Sequence, residues 1–86
     1  MDYGLYSIYD GVAGQYGDVF QAVNHQIAVR NFKQLLERMN AGIRKDFELH
    51  FLGHFSSNTG DINAFSFEKE KERIIMEGVN YVPEQL

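Results

Sequence analysis

The stretch Asp46–Ile62, DFELHFLGHFSSNTGDI, decides the fold class of this chain. Phe47, Leu49, Phe51, Gly53 and Phe55 take every second position, a period that suits a strand and no helix. Ser56-Ser57-Asn58-Thr59-Gly60 is turn chemistry, and apolar residues resume at Ile62. The pattern is that of a β-hairpin, with Gly60 expected to take the positive φ that closes its loop.

On the N-terminal side, Tyr3 to Asp10 is rich in β-formers and reads as another strand. Gly11 to Gly17 is a glycine-punctuated loop or hairpin turn, and Asp18 to Val23 a short extended segment. Asn24 suits a helix N-cap, because its side-chain oxygen can accept from a free backbone N–H. Ala28, Phe32, Leu35, Leu36, Met39 and Ile43 then fall within about 100° of one another on a 3.6-residue wheel. Gly42 is the expected C-cap. The expected architecture is α+β: a small antiparallel sheet of three to four strands with one long amphipathic helix packed across it. The helix stripe should meet the odd-numbered face of Phe47 to Phe55.

The end of the chain is ambiguous. Glu68 to Arg73 alternates in sign, which fits a strand with one charge per face or a helix with i,i+3 pairs. A short helix ending at Gly78 is expected, so residues 1–78 form a single domain. Residues 79–86, with Pro83, are a tail or a partner-docking segment.

Composition bounds the chemistry. Eighty-six residues, 44% hydrophobic and with seven Phe and five Tyr, make one small domain near the lower limit for a single apolar core. The absence of Cys excludes disulfides, thiolate catalysis and Cys-type zinc sites. A chain this small without such staples is expected to pair with a second copy, as a homodimer. No apolar run approaches a membrane span, so a soluble, intracellular protein is expected.

The net charge of −4 argues against a general phosphate binder, but its distribution is uneven. Arg30, Lys33, Arg38, Arg44 and Lys45 lie in one segment with a single acid, Glu37, whereas seven acids and three bases follow Phe47. Arg30, Lys33, Glu37 and Arg44 fall opposite the apolar stripe, a geometry that permits an anion-binding face or a merely solvated one. Tyr6 sits on the opposite pleat from Tyr3 and Tyr9, so the three cannot all be buried on one face. Exposed sheet aromatics beside basic residues are what single-strand DNA binders use to stack bases. Tyr6 and Tyr9 are the candidates here, against the alternative that they edge a small core.

Catalytic and metal chemistry is not written in the sequence. On a strand, His50 and His54 share a face about 13 Å apart, too far for one ion, and are expected on the solvent or half-buried side. The serines have no local base, and Gly11, Gly14 and Gly17 lack the lysine and strand-to-helix context of a phosphate loop. No enzyme, metal or cofactor is expected.

Three blocks carry a resemblance. They are Leu5-Tyr6-Ser7-Ile8-Tyr9-Asp10; Phe20 with Asn24, Ile27-Ala28-Val29-Arg30 and Phe32; and Asp46-Phe47-Glu48-Leu49 with Leu52-Gly53, Phe55 and Thr59-Gly60. In this order the chain resembles the small nonstructural protein of microviruses, circular single-stranded-DNA phages, particularly the gokushovirus branch. The resemblance covers residues 3 to 62. It departs at the turn, often acidic in the family and Ser-Ser-Asn here, and finds no counterpart after Phe65. It implies a phage nonstructural, non-enzymatic protein in the cytoplasm of the host bacterium, associated with single-stranded DNA in replication or packaging of the genome. Arg30 alone among the cations falls in a matched block. Two functions stay open. One is single-stranded DNA binding through Arg30, Lys33, Arg38, Arg44 and Lys45 with Tyr6 or Tyr9. The other is an adaptor that docks on a phage or host protein without contacting DNA.

Overall fold

Two long strands, β1 (Asp2–Asp10) and β4 (Phe47–Ser56), run antiparallel along their whole length and form the centre of the sheet. The computed structural model describes residues 1–66 and 73–83. The outer edge of β1 takes two short strands, β2 (Gln15–Tyr16) near Tyr9 and β3 (Phe20–Ala22) near Gly4–Tyr6. The outer edge of β4 takes β5 (Ile62–Ala64) at Gly53–Phe55 and β6 (Ile74–Glu77) at Glu48–His50. The result is α+β, a curled antiparallel sheet of six strands with one α-helix, among the described residues.

The expectation of three to four strands was low because the edges are filled by short pieces. The clearest correction is Ile74–Glu77, expected in a helix and found as β6. Ile74 and Ile75 are β-branched and suit a pleated edge, and β6 satisfies backbone groups that β4 would otherwise leave open. Residues 68–72 of the expected helix lie outside the described residues. The hairpin β4–β5 is as expected, with Gly60 at φ 77°. Its N–H donates to Ser56 O (2.7 Å).

Helix α1 (His25–Arg38) starts where the sequence marks it: the Asn24 side chain accepts from Ile27 N–H at 2.9 Å. At 14 residues it ends earlier than expected. Met39 turns extended, and the Asn40 side chain accepts from Gly42 N–H to open a 3-10 helix over Ala41–Asp46. Gly42 is thus inside that turn and caps nothing, and Ile43, expected in the stripe, is 45% exposed. Ala28, Phe32 and Leu36, spaced by four, are fully buried against Tyr6, Ala22 and Leu49.

β4 does not keep one apolar face. Tyr6 pairs with Phe51 and Leu5 with Gly53, so Leu52 is an extra residue, a β-bulge. Phe47, Leu49 and Phe51 face the core, but beyond the bulge Gly53 and Phe55 turn to the other face and His54 comes round beside Phe51. His50 and His54 therefore lie on opposite faces.

Candidate nucleic-acid interface

Helix α1 and the 3-10 helix after it carry every described Lys and Arg except Arg73. Arg30, Lys33, Arg38 and Lys45 are exposed. At 100° per residue, Arg30, Lys33 and Glu37 fall within about 60° of each other, and Arg38 lies about 80° from Arg30 on the Leu35 flank. Exposed Glu37, one turn after Lys33, interrupts the row. Glu68 and Glu70 lie outside the described residues.

Arg44 works inside the fold. Its Nε donates at 2.7 Å to Leu36 O, a carbonyl in the last turn of α1 that also accepts from Met39 N–H, and its guanidinium lies 5.1 Å from the centroid of the Tyr81 ring. That contact holds the 3-10 helix at Gly78–Asn80 and the residue after it against the chain reversal that follows α1. Gly78 is buried there, and a Cβ would run into Arg44 O.

Tyr6 does not take the stacking role that the sequence left open to it. Tyr6 is 1% exposed, stacked between Phe20 (5.7 Å) and Phe51 (5.2 Å). Its hydroxyl shares a hydrogen bond with His25 Nδ1 at 2.7 Å, and burial pushes its pKa above the ordinary 10.0. It presents no face to a base, because its pleat is the one the helix covers. Tyr9 is half-buried, with its ring 4.9 Å from Tyr16 and 5.3 Å from His50.

His50, expected at the solvent or half-buried side, is 3% exposed. The Tyr16 hydroxyl donates to its Nδ1 (2.9 Å) and its Nε2–H donates to Glu48 Oε1 (2.9 Å), a direction set by the carboxylate, which only accepts. Tyr9 covers the imidazole, and neighbouring Ser7 donates to Gly17 O. This chain of bonds ties the β2 hairpin to β4 and gives the sheet a second, polar core on the face away from α1.

Sequence reasoning missed a set of rings on the helix side. Around Phe51 stand His25 (4.7 Å, 74°), His54 (5.2 Å, 88°) and Phe65 (4.9 Å, 83°). His25 and His54 are exposed, Phe51 and Phe65 half-buried. The one signal for it was Gly53, since a glycine inside a strand pattern marks a bulge. Among the described residues no group of three His, Cys, Asp or Glu could hold a metal ion, and no helix is long and apolar enough to cross a membrane.

The family model of the phage ORF5 protein matches residues 3–81. The chain belongs to that family. It is a phage protein, and the match runs past Phe65 through β6 to Tyr81, so the stretch for which the sequence blocks found no counterpart belongs to the ORF5 pattern as well. No curated protein and no solved structure matches the chain.

Proposed function

We propose that this phage protein associates, without catalysing a reaction, with single-stranded phage DNA during replication or packaging of the genome in the host cytoplasm. We infer further, from the three sequence blocks, that it is a nonstructural protein of a gokushovirus-like microvirus. The observation that carries the DNA reading is the gathering of exposed Arg30, Lys33, Arg38 and Lys45 on α1 and the adjoining 3-10 helix. Apart from Glu37 and Asp46, the described acids lie on strands and loops and not on these two helices. Four cations would each displace counterions from phosphates.

The test is fluorescence anisotropy of labelled single- and double-stranded oligonucleotides over a salt series. Preference for the single strand, with a log–log salt slope of about −3 for four contacts, is the expected result. A second reading, an adaptor for a phage or host protein, is favoured by β5, a sheet edge whose residues Ile62–Ala64 are all exposed. Absence of DNA binding at low salt would select it. A homodimer is inferred from chain size alone, and sedimentation velocity over a concentration series tests it.

A further inference from the structure

The bulge at Leu52 has a chemical consequence. It depends on Gly53, whose φ of 156° and whose approach to Asn63 O leave no room for a Cβ. By inserting one residue it brings His54 to the side of the sheet that holds Phe51, where His25 arrives from the start of α1 and Phe65 from the end of β5. Tyr6, stacked under Phe51 at 5.2 Å with 29° between the planes, closes the cluster from below. The rings above it are partly or largely open to solvent. Rings this exposed contribute less to the core than they could contribute to a planar ligand.

The electrostatic surroundings favour an anion-bearing ligand on one side. The first turn of α1 contains no acid, and its free N–H groups carry partial positive charge beside His25. Arg73 reaches the same place, where its guanidinium donates to Phe65 O. Lys33 follows about 12 Å along the α1 axis from His25 and about 80° round it, whereas Arg30 lies about 140° round, on the far side of the helix. On the other side of His54, Asp2 and Asp61 line a polar hollow that would repel phosphate. A ligand with a flat π-face and a phosphate backbone would therefore lie from His54 and Phe65 toward α1, and not toward Asp61.

We propose that Phe65 and His54, edge-to-face with Phe51 and bordered by His25, offer separate ring faces on which unpaired nucleobases of single-stranded DNA stack, with the backbone continuing toward Lys33. This rests on the DNA-associated reading and adds the base-contacting residues to it. Stacking is tolerant of sequence because every base offers a π-face, so little base preference is expected.

The experiment compares, with the full chain at fixed salt, an oligothymidylate and an abasic oligomer of the same length and phosphate count. The wild type should bind the thymidylate tighter by about 5- to 150-fold per stacked base. His54→Ala with Phe65→Leu should bring thymidylate affinity down to the abasic level while leaving the salt slope unchanged, since no phosphate contact is removed. His54→Ala alone, at an exposed position, should give part of that loss and keeps the test open if the double variant fails to fold. Equal wild-type affinity for both oligomers, or full thymidylate affinity in folded variants, would overturn the platform and leave the DNA reading standing. Failure to bind either oligomer at low salt would overturn both.

Discussion

Tyr6 shows how one side chain can serve the core and carry a pH signature. Its ring fills the space between Phe20 and Phe51, and its hydroxyl is satisfied by His25. Tyr6→Phe should keep the packing and lose about 1 kcal/mol with the hydrogen bond. Because burial raises the phenol pKa in the folded chain, the folded state holds a proton that the unfolded state releases. That stabilisation is fully present below about pH 10 and is lost as pH rises through the raised folded value. Urea unfolding between pH 8 and pH 11.5 should therefore show a steeper alkaline loss in the wild type than in Tyr6→Phe; parallel curves would refute the assignment. Phe32, fully buried, is the residue whose truncation to Ala should cost most, about 3–5 kcal/mol, enough to unfold much of a domain this small. Phe51, mid-way along the alternation of β4, is half-buried, and Phe51→Ala should cost less by thermal melting.

At the scale of elements, β4 is two strands joined by a bulge. Its first half follows the alternation that the sequence displays, with Phe47, Leu49 and Phe51 on the core side. The second half reverses, which a strict period of two cannot express. Replacing Gly53 with Val should force the backbone out of its positive φ and push Asn63 away. The expected readout is faster hydrogen exchange at Phe65, whose N–H donates to Leu52 O, with a stability loss of about 1–3 kcal/mol. Unchanged exchange there would mean that the bulge does not depend on glycine. Helix α1 was legible at its start, because Asn24 is a local signal. Its end was not, since the apolar period ran through Ile43 while Asn40 offered its side chain to Gly42 and began a 3-10 turn instead.

For the molecule as a whole, charge separation is the property most open to test. The cations between Arg30 and Lys45 share one helical region, while Glu48 and Glu77 face each other across β4 and β6 on the sheet. Reversing Arg30 and Lys33 to Glu should leave melting behaviour nearly unchanged, since both are exposed. It should also abolish single-strand binding at moderate salt and flatten the residual salt slope. Retained binding with the original slope would show that DNA, if bound, contacts another face. Arg44, by contrast, should report on stability: its loss removes one of the two donors to Leu36 O and the cation packed on the Tyr81 ring.

The sequence by itself determined the α+β class, the β4–β5 hairpin, the cap at Asn24 and the segregation of cations, because each is encoded within a few residues by period, turn chemistry or local charge. Only the tertiary structure decided which aromatics remain open. Tyr6 could have faced either way until α1 covered its pleat, and His54 joined Phe51 only because Leu52 bulges where β1 and β4 meet. His50 likewise became buried when Tyr16 reached it from a hairpin 34 residues away in the chain. Pairing register and coverage of a face are properties of strands that meet across long sequence separations, and no local period contains them.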